Sequence, residues 1–70
     1  MAVASVSTIT AASLKSWQDA ALRGFERARK TLRHITGLQV IEEKARVEDG
    51  EIIEYLVTLQ VIFLLEESGD

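Results

Sequence analysis

Residues 52–67 read IIEYLVTLQVIFLLEE. Every odd position from 53 to 65 is apolar: Ile53, Tyr55, Val57, Leu59, Val61, Phe63 and Leu65. The even positions mix Leu56, Ile62 and Leu64 with Thr58 and Gln60. β-Branched and aromatic residues favour strands, and successive strand residues point to opposite faces. The segment therefore reads as one long strand whose two faces both need cover. At about 3.3 Å per residue it would run roughly 50 Å. A chain of 70 residues has one helix to offer it. The second cover is expected from another copy of the same chain.

Upstream of this strand, Asp49-Gly50 is a tight hairpin signal, because glycine accepts the positive φ of a two-residue turn. Residues 38–47 form the partner strand. Val40 and Ile41 are adjacent apolars there, and Glu42 and Glu43 adjacent acids, a disruption that marks a bulge or a change of face. Residues 13–36 are expected to be helical. Trp17, Ala21, Gly24, Ala28, Thr31 and Ile35 recur at steps of three and four, with Phe25 and Leu32 widening the stripe. Gln18, Asp19, Glu26, Arg27, Lys30 and Arg33 take the opposite side. Ser13 is the expected N-cap, with Ser16 and Asp19 as an alternative start. Arg33 and His34 would suit the negative helix end, and Gly37 would be the C-cap. Residues 1–10 read as an edge strand, and from Glu66 onward the chain is a polar tail. The whole is one α+β domain over residues 1–70: β-α-β-β, a three-stranded antiparallel sheet wrapped around one helix.

Seventy residues bury a modest core and are marginal alone. Small folds normally need disulfides, a metal or oligomerisation. The absence of cysteine excludes disulfides and thiolate metal sites, and one histidine excludes a multi-histidine site within one chain. Oligomerisation remains. The net charge of −3 hides an asymmetry. Residues 1–36 carry Lys15, Arg23, Arg27, Arg29, Lys30 and Arg33 against Asp19 and Glu26, whereas residues 37–70 carry Lys44 and Arg46 against nine acids. A basic helix can bind nucleic acid, but no recognition motif accompanies it, and a solvated mixed-charge face is the better reading. The N-terminus lacks a basic region followed by an apolar core. No apolar run approaches the roughly 18 residues of a membrane span. A cytoplasmic location is expected.

Catalytic chemistry is poorly supplied. No Cys/His pair, legible Ser/His/Asp triad, phosphate loop or metal spacing is present. His34 could act as a general base, but on a polar helix end beside Arg33 it reads as a solvated or dipole-pairing residue. Glu42 and Glu43 point to opposite faces of a strand, so they cannot pair as acid and base. Copies of Glu42 brought together by symmetry could hold a cation with hard oxygen ligands, though a solvated strand edge is the stronger reading. Trp17, Tyr55 and Phe63 lie on buried stripes and read as core. The chain is not expected to be an enzyme.

Taken in order, these features resemble a known family. Ser13-x-x-Ser16-Trp17-x-x-Ala20, Arg27-Ala28-x-x-Thr31-Leu32-Arg33-x-Ile35, Val40-x-Glu42, Gly50-x-Ile52-x-x-Tyr55-x-Val57 and Val61-x-Phe63-x-Leu65-Glu66 are similar to the dodecins, ungapped over residues 10–67. The resemblance implies a subunit whose sheet wraps its helix, and a homododecamer forming a hollow shell. It also implies flavin binding at subunit interfaces, of riboflavin or its phosphate (FMN), for storage and buffering without turnover. Some relatives are described with coenzyme A or bound cations.

Against that pattern the family's pocket positions are altered. Gly37 stands where flavin-binding dodecins place a stacking tryptophan. Leu56 replaces a glutamine that holds the polar edge of the flavin, and Leu64 an arginine that helps bind phosphate. Gln39 stands where some members carry a second-strand tryptophan. Trp17 matches a structural helix tryptophan and does not compensate. The expectation is thus a dodecin-like shell that has lost the usual flavin site and holds another small ligand or serves as a plain assembly. One alternative is a flavin-storing dodecin with a pocket rearranged around Gln39, Gln60 and backbone groups. A second is a small adaptor that binds nucleic acid through the basic helix face.

Overall fold

The computed structural model describes residues 3–65. The elements run β1 (Val3–Ser13), α1 (Trp17–Arg29), β2 (Ile35–Glu48) and β3 (Glu51–Leu65). The sheet is antiparallel with order β1-β3-β2. This is the expected β-α-β-β topology, with the long greasy strand in the middle, where both its edges are hydrogen-bonded. Residues 1 and 2 of the expected first strand lie outside the described residues, as do Glu66 and Glu67 of the expected last strand and the polar tail.

The odd residues of β3 face the helix. Val57, Leu59 and Val61 are fully buried, and with Ala20 and Ala28 they make the buried apolar core among the described residues. The helix presents small residues to them: Ala20, Gly24 and Ala28 are its buried positions, spaced by four. A Cβ at Gly24 would meet Leu59 Cδ1 at 3.0 Å and Ala11 Cβ at 3.2 Å, so glycine is what lets the helix backbone approach the sheet. Ala20 was absent from the expected stripe, which had Ala21 in its place. Ala21 is only half-buried at the margin of the core. Trp17 is half-buried and packs against the core. Its ring meets Tyr55 edge-on at 4.9 Å, and its Nε1–H donates to Lys44 O at 2.9 Å, joining α1 to β2.

The helix is shorter at both ends than its apolar period suggested. Ser16, not Ser13, is the N-cap, accepting the Asp19 N–H on its hydroxyl at 2.9 Å. Ser13 instead continues the β1 ladder opposite Tyr55. Its buried hydroxyl donates to Asp19 Oδ2 at 2.5 Å and accepts the Lys15 N–H at 2.9 Å. At the other end α1 stops at Arg29, with Arg27 and Arg29 in the last turn, where cations suit the dipole. The final amides tighten: Lys30 N donates to Arg27 O, and Thr31 N to Ala28 O. β-Branched Ile35 and Thr36 then enter β2, where such residues are favoured. Gly37 is therefore a strand residue, and the left-handed position of the connection is His34 (φ 59°). Arg33 and His34 lie beyond the helix rather than in its last turn.

β2 is broken by register shifts between Ile35 and Gly37, Val40 and Glu42, and Arg46 and Val47. The middle shift falls at the doubled apolar pair. Asp49 (φ 52°) and Gly50 (φ 78°) form the two-residue hairpin between paired Glu48 and Glu51, as the sequence predicts.

The junction of β1 and α1 gives a pH prediction. Asp19 is held below its ordinary value near 3.8 by the Ser13 hydroxyl bond first and the Arg23 guanidinium second. A carboxyl depressed in the folded state contributes stability above its unfolded pKa and loses it as pH falls through the folded one. Between pH 5 and pH 2, thermal unfolding should show wild-type stability falling more steeply than that of Asp19→Asn. Parallel curves would show that the network has no such effect.

Candidate functional site

On the side away from α1 the sheet is bare. The register fixes which residues stand there, because directly paired strand residues share a face. Its rungs, read β1-β3-β2, are Val6-Ile62-Gly37, Thr8-Gln60-Gln39, Thr10-Thr58-Glu42 and Ala12-Leu56-Lys44. Leu64 stands opposite Ala4. Gly37, Gln39, Leu56, Gln60 and Leu64, the pocket positions read from the sequence, thus fall on this one face, together with Glu42. They are not one compact cluster. Leu56 and Leu64 are eight residues apart on one strand, so a single ligand in one protomer could touch only part of the set.

Two rungs are polar and the flanking ones apolar. In the first, Gln39 faces Gln60 directly, with Thr8 beyond. Two carboxamides on adjacent strands can offer both donors and acceptors. In the second, the Thr10 and Thr58 hydroxyls lie 3.3 Å apart. Glu42 on that rung sits 3.6 Å from the Lys44 ammonium. No group of three histidines, cysteines or acids that could hold a metal gathers among the described residues. Glu43 pairs opposite Val57, on the helix side, so the two adjacent glutamates do point apart.

Gly37 leaves a notch. A Cβ there would meet Ile62 Cδ1 at 3.4 Å, ordinary contact, and its φ is not positive. The position can take a side chain and simply lacks one. Leu56 is half-buried between Ala12 and Lys44. Leu64 is 37% exposed, and its N–H donates to His34 O at 3.0 Å. Thr8, Thr10 and Lys44 join these rungs without having been singled out from the sequence. Thr8 and Thr10 alternate correctly on their own strand, but only the β1–β3 register aligns them with Gln60 and Thr58.

The exposed apolar side chains complete the surface. Among the described residues Val6, Val47, Ile52 and Leu64 are at least 37% exposed on the bare face, and Leu38, Val40 and Ile41 are exposed on edge strand β2. These side chains are spread over both ends of the sheet, Val47 and Ile52 near the hairpin and Val6 and Leu64 at the far end, with Leu38 and Val40 paired opposite Val61 and Leu59 on the helix side. Exposed apolar side chains in such number suit an interaction surface. The helix side is more evenly charged: Arg23 Nε bonds Asp19 Oδ2 at 2.7 Å, and Arg29 lies 3.7 Å from Glu26. No helix among the described residues is long and apolar enough to cross a membrane.

Comparison with known proteins agrees with this architecture. The dodecin family model matches residues 3–66. A dodecin from Thermus thermophilus is 45% identical over 42 residues, 60% of this chain and 61% of that relative's length. The aligned stretch thus spans about three fifths of that relative. A crystal structure of a Thermus thermophilus protein superimposes with a TM-score of 0.90 at 32% identity, covering 97% of this chain and 100% of that one. The dodecin of Streptomyces coelicolor gives 0.89 at 28% identity, with 96% of each chain covered. The chain belongs to the dodecin family.

Proposed function

We propose that this dodecin closes into a hollow homododecamer through the bare face and the β2 edge of its sheet, and acts as a non-enzymatic shell that binds or stores a small ligand or serves structurally, with the usual flavin pocket lost. The observation that carries this reading is the central strand, apolar on two faces but covered on one. Membership of a non-enzymatic, flavin-binding family of homododecamers supports it. The loss of the flavin site rests on three positions of the bare face. Gly37 has no ring to stack, Leu56 no hydrogen-bonding group, and Leu64 no charge. An aromatic stacking pair contributes about 0.5–1.5 kcal/mol, and an unmatched buried polar group costs about 1–3 kcal/mol. Together they remove roughly one to three factors of ten in affinity.

One observation favours a second reading. The Gln39-Gln60 rung places two carboxamides side by side on the face where the ligand would lie, and a pocket rearranged around them could still hold the polar edge of riboflavin or FMN.

Two predictions follow from this face. Titrating the pure protein with riboflavin should leave flavin emission unquenched, whereas Gly37→Trp combined with Leu56→Gln should restore saturable quenching. Strong stoichiometric quenching by the unmodified protein would contradict the lost-site reading and favour the rearranged pocket. Leu56→Glu puts a carboxylate on the face assigned to subunit contacts, where taking an ion out of water costs several kcal/mol, offset only in part by Lys44 opposite it. Its particle mass by light scattering should fall, and an unchanged mass would show that Leu56 is not at an interface.

A further inference from the structure

The helix side carries a feature separate from the bare face. Between α1 and the unpaired edge of β1 lies a groove of about 440 Å³, within the few-hundred-Å³ range of small-ligand pockets. Its floor is apolar, made by Ile9 and Ala11 of β1 and by Gly24 and Ala28 of α1. The contact of Gly24 with the sheet closes its inner end, since a Cβ there would strike Leu59 and Ala11. Arg23 and Arg27 line the helix side.

The two arginines are one turn apart, at i and i+4, where like charges repel. Arg23 is half-neutralised: its Nε bonds Asp19, while its terminal nitrogens make no bond among the described residues. Arg27 has no carboxylate partner among them, although Glu26 beside it in sequence pairs with Arg29. A guanidinium presents a planar fork of donors that matches an oxyanion. Two such forks at the lip of an apolar groove are complementary to a molecule with a greasy body and one negative group.

We propose that this groove binds a small amphipathic anion, with its apolar body on the Ile9, Ala11 and Ala28 floor and a carboxylate, sulfonate or phosphate between Arg23 and Arg27. The bound anion would relieve the repulsion between the two arginines. The site is independent of the flavin positions, which stand on the opposite face of the sheet.

Two fluorescent probes with a common aromatic body test this: anilinonaphthalene sulfonate and uncharged phenylnaphthylamine, each titrated against the intact assembled protein. Both should bind saturably, the sulfonate roughly tenfold tighter, as a charge-assisted bond supplies. Arg27→Gln, on the exposed helix surface, should shrink that difference and weaken the sulfonate far more than the neutral probe. Ser7→Phe, which fills the groove from β1, should weaken both probes; if that variant fails to assemble, Thr31→Phe fills it from the other side. Equal affinity of the two probes, no saturable binding, or insensitivity to the filled groove would overturn the proposal.

Discussion

The structure depends on one constraint: β3 carries large apolar side chains on both faces, and its own chain can cover only one. The helix is 13 residues long and the strand 15. α1 lies over Val57, Leu59 and Val61 and approaches them through the small stripe Ala20, Gly24 and Ala28. The protomer is consequently thin, with principal extents of 58 × 19 × 12 Å. Full burial of one large apolar side chain contributes about 1.5–3 kcal/mol, and a whole domain is stable by only about 5–15 kcal/mol. Covering even a few of the exposed valines, leucines and isoleucines is comparable with the folding stability of the chain. The proposed assembly would couple folding to association through this one strand.

The elements set by side-chain alternation and turn chemistry were legible in the sequence. The period of two across β3 identifies the helix-facing side, and Asp49-Gly50 fixes the hairpin because both positions need positive φ. The ends of α1 were not legible, because there two local rules compete. Ser13 and Ser16 are both good caps, and the choice is made by Tyr55 across the sheet, which keeps Ser13 in the ladder. At the other end Gly37 is the obvious stop, but the chain turns three residues earlier, at His34, a residue type that tolerates left-handed backbone better than most. The helical period through Thr31 and Ile35 is real in the sequence yet continues into a strand.

Gly37, Gln39, Leu56 and Leu64 were named through their alignment with the family pattern, and Gln60 as part of a rearranged pocket. What the fold adds is their common face and their neighbours. Gln39 opposite Gln60, and Thr10 against Thr58, depend on register shifts in β2 and on pairing across β1 that no single strand encodes. The result is a face with polar rungs between apolar ones, suited to subunit contact with local hydrogen bonding. The helix side differs in kind. There a small-residue stripe brings helix and sheet together, and the arginines stand along the margin of the contact. The two sides of one sheet thus differ: alternating polar and apolar rungs, with the Glu42–Lys44 pair, where copies would meet, and paired charges along the helix where the chain covers itself.

The most direct test of that coupling is the mass of the native protein in solution, measured by native mass spectrometry at low protein concentration. Twelve copies of a 7.8 kDa chain give about 94 kDa, and a single species of that mass is expected, with no folded monomer beside it. A folded, stable species of one or two chains would contradict the account, because it would leave the second face of β3 in water without loss of the fold.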